Sequence, residues 1–148
     1  MHWQSIVLAI LVFFGSSPVF AWEIRSDVPD SLETGQSFVL EVRTLLPNSE
    51  CYACRGHEVD YGEFTADVFL ITERTQPWAH DCNGFETSCY DYIEIEFQVP
   101  GLHVLRLTDR FIAPALGRDT LIFEYSIEVE AAVPNSGFTW GAIKARYR

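Results

Sequence analysis

The stretch Tyr92–Asp109, "YIEIEFQVPGLHVLRLTD", decides the fold. In its first half Ile93, Ile95, Phe97 and Val99 alternate with Glu94, Glu96 and Gln98. That two-residue period puts every apolar side chain on one face of an extended strand and every polar one on the other. Pro100-Gly101 then breaks the run, and an apolar pattern resumes over 102–109. Two half-buried antiparallel strands joined by a short turn satisfy both halves. The same period recurs outward. In "QSFVLEVRT" (36–44) Phe38, Leu40 and Val42 point one way and Glu41 and Arg43 the other; in "TLIFEYSIEVE" (120–130) Leu121, Phe123, Tyr125, Ile127 and Val129 oppose Glu124, Glu128 and Glu130. "WEIRSDV" (22–28) and "TADVFLIT" (65–72) read as strands with a weaker pattern, and no segment has helical periodicity. The glutamates fall on solvent faces, where they keep sheets apart, and do not form a catalytic series.

About seven short strands in some 110 residues predict an all-β protein, a disulfide-stapled antiparallel β-sandwich. The runs "VPDSLETGQSFVLEV", "YIEIEFQVPGLHVLRLTD" and "DTLIFEYSIEVE" resemble parts of a bacterial immunoglobulin-like domain, in which a Pro-Gly turn precedes the penultimate strand as Pro100-Gly101 does here. The resemblance implies an immunoglobulin-like sandwich over residues 22–131, with His103 standing where such domains carry a corner tyrosine. It implies fold and not function. In that plan strand 36–44 runs up and 65–72 runs down, while 92–99 lies antiparallel beside 36–44 and starts at the top. Segment 73–91 must then climb back, with a short strand near 73–79. The loop bearing Cys51 and Cys54, the end of the segment bearing Cys82 and Cys89, and the loop "DRFIAPALGRD" (109–119) all meet at the top.

The chain of 148 residues opens with "MHWQSIVLAILVFFGSSPVFAWEIRS", an apolar run from Ile6 to Phe14, a Gly-Ser-Ser-Pro break and then Val19-Phe20-Ala21. That pattern predicts a signal peptide over 1–21 cleaved after Ala21, although no Lys or Arg precedes the apolar run. The run is too short for the roughly 20 residues of a transmembrane helix, so no integral membrane segment is expected after cleavage. The remaining residues suit a single domain, exported to the periplasm or the medium of a bacterium. Net charge is −11, and the last five residues, "KARYR", contribute +3 and hold the single lysine. So acidic a body repels phosphate backbones, which excludes nucleic acid as a partner.

Cysteine chemistry centres on "ECYACRGHEVDYGEF" (50–64). Four cysteines in an exported chain favour two disulfides. Two cysteine loops meeting at the top suggest Cys51–Cys89 with Cys54–Cys82; the local pairing Cys51–Cys54 with Cys82–Cys89 is the rival, because sequence alone does not decide among three connectivities. A thioredoxin-like role requires a helix after the first cysteine, and none is signalled. Covalent haem requires C-x-x-C-H, but Arg55 is the fifth residue and His57 comes two places late. Copper lacks its axial thioether, since Met1 is the only methionine and belongs to the leader. Calcium lacks the spacing of a D-x-D-x-D-G loop, and zinc would compete with disulfide formation for the thiols. A metal, if bound, would take His57 and His80 with Asp60, Asp81 or Glu58. No cofactor is expected. No G-x-S-x-G occurs, and Ser88, His80 and Asp81 lie too close in sequence to converge as a triad, so no catalytic residue is expected.

Binding remains. "FIAPALG" (111–117) is an apolar tip between Arg110 and Arg118 that either folds back over the sandwich end or faces a partner. With Tyr52, Tyr61, Trp78 and Tyr90, the residues Arg110, Phe111, Ile112, Leu116 and Arg118 form the candidate surface for a protein or peptide. The chain is also similar in outline to chagasin-type inhibitors of cysteine proteases. Gly101, Leu105 and Leu107 lead into Arg110-Phe111-Ile112 much as their penultimate strand leads into a binding loop, although "LPNSECYAC" replaces their Asn-Pro-Thr-Thr-Gly-Tyr signature. The expected function is thus a binding or structural module acting through loops at one end. A periplasmic metal-binding protein and a protease inhibitor are the alternatives. Residues 132–148, "AVPNSGFTWGAIKARYR", form a linker and a basic, aromatic tail, with Phe138, Trp140, Ile143 and Tyr147 costly to leave exposed.

Overall fold

The computed structural model describes residues 20–48, 51–75, 85–114 and 117–133. Eight strands occupy most of them: β1 (Ala21–Ile24), β2 (Ser31–Glu33), β3 (Ser37–Leu46), β4 (Tyr52–Tyr61), β5 (Thr65–Arg74), β6 (Thr87–Glu96), β7 (Gly101–Ile112) and β8 (Arg118–Glu130). They form two sheets, one ordered β1-β3-β6 and one ordered β2-β8-β7-β5-β4. The core lies between them. Leu40, Val42, Ile93, Ile95 and Phe97 face Val68, Leu70, Leu105, Leu107, Ile127 and Val129, all buried. Each such side chain contributes about 1.5–3 kcal/mol by leaving water. The predicted inward faces of 36–44 and 93–97 are therefore the faces that pack.

The connectivity departs from the antiparallel order implied by the resemblance. Strand β3 pairs antiparallel with β6, as expected, but residues 52–61 are strand β4, in a hairpin with β5, and not a loop. This extra strand reverses the direction of everything up to β6. Strand β5 therefore runs up, not down, and pairs parallel with β7 from Thr65↔Val104 to Glu73↔Ile112. It ends at the top, so nothing needs to climb back before β6 and the short strand expected near 73–79 is not required; β5 itself reaches Arg74, and residues 76–79 lie outside the described residues. Parallel neighbours need a crossover, and β6, seated in the other sheet, supplies it. At the N-terminal side the chain changes sheets: β1 pairs with β3, then β2 pairs parallel with β8.

Two irregularities adjust the faces. Between β7 and β8 the register slips where Leu107 pairs with Phe123 but Thr108 pairs with Leu121, leaving Ile122 as the extra residue. A bulge reverses the alternation beyond it, so Leu121, expected inward, is 51% exposed while Ile122 turns toward the core. Val99 likewise lies past the end of β6 and is exposed. At the start of β7, Gly101 has φ of +136°, a backbone that strains any other residue, and a Cβ there would press on the Phe64 ring at 3.1 Å. His103, two residues on, is buried between Phe97 and Phe64, with ring centroids at 4.3 and 5.4 Å. Its Nε2–H donates to the Val99 carbonyl at 2.7 Å, pinning the corner.

Candidate functional site

The top of the two-sheet structure, where β3, β5 and β7 end and β4, β6 and β8 begin, is the cross-linked part of the molecule. Cys54 on β4 and Cys89 on β6 are joined as a disulfide. Each strand is an edge of its own sheet, so this bond joins the two sheets on the side opposite the β1–β2 crossover. The crossed pairing Cys51–Cys89 with Cys54–Cys82 is thereby corrected, as is the local pairing. The earlier placement put both Cys51 and Cys54 on a loop, whereas Cys54 belongs to a strand that faces β6. Cys51 is buried and disulfide-bonded as well; Cys82 lies outside the described residues.

A bulge aims two side chains at β6. Strand β4 slips register between Cys54 and His57, with Gly56 at φ of +90°, a conformation that glycine adopts without penalty. The extra residue lets Cys54 and His57, three apart, share one face. His57 Nδ1 lies 2.8 Å from Asp91 Oδ1, so a disulfide and an imidazole–carboxylate pair span the same edge. Asp60 belongs to the opposite face of β4, where it pairs in register with Asp67. His57 and Asp60 therefore do not converge, and His80 and Asp81 lie outside the described residues. Among the described residues no group of three or more His, Cys, Asp or Glu side chains is placed to hold a metal. Ser88 also turns away from His57: its hydroxyl accepts from Arg43 Nε at 3.1 Å on the outer face of the three-stranded sheet.

The inner face of this end is polar. Thr44, Thr72, Asp91 and Asp109 are all buried within two rows of the top. The Thr72 hydroxyl donates to Asp109 Oδ1 at 2.8 Å. Burial raises the Asp109 pKa from an ordinary 3.8 to about 6, against the opposing effects of the Thr72 bond and the Arg118 charge, while Asp119 adds to the rise. Above this band sits an aromatic cluster. Phe20 is 5% exposed and meets Tyr52 edge-on at 5.3 Å, Phe111 at 5.5 Å and Trp22 at 6.3 Å between centroids. Tyr52 and Phe111 are themselves 6.2 Å apart.

The candidate binding residues are distributed as follows. Tyr52 and Phe111 join the cluster at the top, beside an exposed Ile112 and an exposed Arg118. Tyr90 lies on the outer face of the three-stranded sheet, with the guanidinium groups of Arg25 and Arg43 at 5.7 and 6.0 Å from its ring. Tyr92, two residues along the same face and 63% exposed, was not anticipated. Arg110 belongs to the outer face of the five-stranded sheet, stacked 3.9 Å over Phe69 and bonded through Nε and Nη2 to Asp119. Tyr61 sits at the opposite end, lining a cleft of about 420 Å³ with Glu63, Glu96, Val99 and His103. Trp78 and Leu116 lie outside the described residues, as do residues 1–19, where the sequence predicts a leader, and residues 134–148. The sequence reading missed Phe20, Asp91 and Asp109. The two acids were detectable, because Asp91 continues the inward series of Ile93 and Ile95, and Asp109 that of Leu105 and Leu107.

No protein-family model, curated protein or solved structure matches this chain. Among the described residues no helix is long and apolar enough to cross a membrane.

Proposed function

We propose that the chain is a non-enzymatic recognition module, a sandwich akin in plan to immunoglobulin-like domains but with its β4–β5 hairpin turned over, which takes a protein or peptide at its stapled end. One observation carries this reading. The Cys54–Cys89 bond fixes the strand that presents Tyr90 and Tyr92, and the same end holds exposed Ile112 and Arg118 around an aromatic cluster. Tyrosine, arginine and exposed aliphatic groups on a preorganised frame are the composition of protein interfaces, and rigidity removes ordering cost on binding. A papain-like protease is the most specific partner that the inhibitor likeness suggests, and inhibition of such an enzyme by the purified protein checks it directly.

The general reading is tested by placing a photo-crosslinking phenylalanine at Tyr90, at Ile112 and, as control, at Glu128 on the far end, in the protein expressed in its own compartment. Discrete adducts from the first two positions and none from the third support the module. Silence at Tyr90 and Ile112 alike removes it.

A further inference from the structure

Phe20 and the rings that hold it lie on opposite sides of the predicted cleavage point. Phe20 lies before that point, and its ring is held by Tyr52, Phe111 and Trp22, which lie after it. Ala21 pairs in register with Leu45 at the open edge of the three-stranded sheet. Cleavage after Ala21 therefore takes an aromatic ring out of a packed recess and frees the β3 edge at Leu45. Both vacancies lie at the stapled end.

We infer that this recess is the specificity pocket of the mature protein, taking an aromatic side chain from the end of an extended partner peptide that reaches β3 at Leu45, above the Trp22–Thr44 pair that β1 keeps, and that Phe20 fills it until the leader is removed. The inference rests on the recognition reading and on cleavage after Ala21. What fits is shown by the occupant already there: one apolar ring, 5% exposed, held by three aromatic rings. Edge-to-face and tilted ring contacts at these separations favour another aromatic over an aliphatic group. The backbone of Leu45 offers the peptide one pairing position, since Trp22–Ile24 still cover the rest of β3, and the pocket selects the side chain beside it. Trp22 Nε1–H, buried with no acceptor, offers a donor beside the pocket.

The test begins with the N-terminus of the exported protein, read by mass. Trp22 is expected, and retention of Phe20 overturns the inference. A fluorescein-labelled peptide of residues 16–21, Ser-Ser-Pro-Val-Phe-Ala, is then titrated against the exported form and followed by polarisation. Saturable binding is expected. It should weaken about tenfold or more when the peptide phenylalanine becomes alanine, and by a similar factor in Phe111→Ala protein. An oxidised form beginning at Phe20 should bind at least about tenfold less well, because its pocket is filled. No binding, or equal binding of the alanine peptide, refutes the pocket even if Phe111→Ala fails to fold. Adducts at Tyr90 and Ile112 with a negative peptide titration would discard the pocket alone and leave the module standing.

Discussion

Asp109→Asn tests whether a buried carboxylate weakens this fold at neutral pH. The side chain is 1% exposed, accepts from Thr72, and has its pKa raised from 3.8 to about 6 by burial. A folded form that holds its proton to higher pH than the unfolded chain loses stability as pH rises through the interval between the two values. At 1.36 kcal/mol per pKa unit, the gap corresponds to about 3 kcal/mol at neutral pH, of which only about 0.5 kcal/mol is felt near pH 4. Asparagine keeps an oxygen for the Thr72 hydroxyl and carries no charge at any pH. The variant should therefore gain on the wild type by about 2.5 kcal/mol more near pH 7.5 than near pH 4. Denaturant unfolding of the oxidised proteins at the two pH values measures this, and taking the variant-minus-wild-type difference cancels the other titrating groups. A difference that is flat with pH, or that favours the wild type at the higher pH, refutes the reasoning.

The other expectations concern the frame. Removing the staple with Cys54→Ser and Cys89→Ser together should cost about 4 kcal/mol, from a separation of 35 residues in the chain-entropy picture, and should lower the unfolding midpoint measured by circular dichroism. Gly56→Ala meets no neighbour within 4 Å but must hold φ near +90°, so about 1–2 kcal/mol should be lost to backbone strain alone. Chemical unfolding with the disulfides intact reads that loss. His103→Ala should cost about 3 kcal/mol or more by opening a cavity against Phe97 and Phe64 and orphaning the Val99 carbonyl; calorimetry gives the value.

Much of the fold was legible where one face of a strand is dry and the other wet. Residues 36–44 and 92–97 carry that contrast without interruption, so their faces and their pairing could be read directly. Strand β4 could not. It is an edge strand with only Val59 packed against the core, and the Gly56 bulge breaks its alternation in the middle. Missing that one strand inverted the inferred direction of β5 and with it the disulfide pairing, because register and direction propagate along the chain. The site was half legible. Composition pointed to the cysteine end and to Tyr52, Tyr90 and Phe111, but period-2 patterns do not tell which aromatic rings meet. Asp91 and Asp109 break the expectation that inward positions are apolar, and acids at such positions are a sequence signal worth reading in their own right.

The parallel contact of β5 with β7 also has a temporal meaning. The strand between them in the chain, β6, belongs to the opposite sheet, so the segment joining these two neighbours crosses the core. Neither sheet is therefore a unit that can be finished alone, and no contiguous half of the chain contains a complete core. A polypeptide appearing from its N-terminus leaves one backbone edge of β5 unpaired until residues up to Ile112 have arrived. Pairings so distant in sequence fold slowly and stay vulnerable to wrong partners meanwhile. The covalent link between β4 and β6, once formed, holds the crossover strand beside the hairpin and shortens that interval.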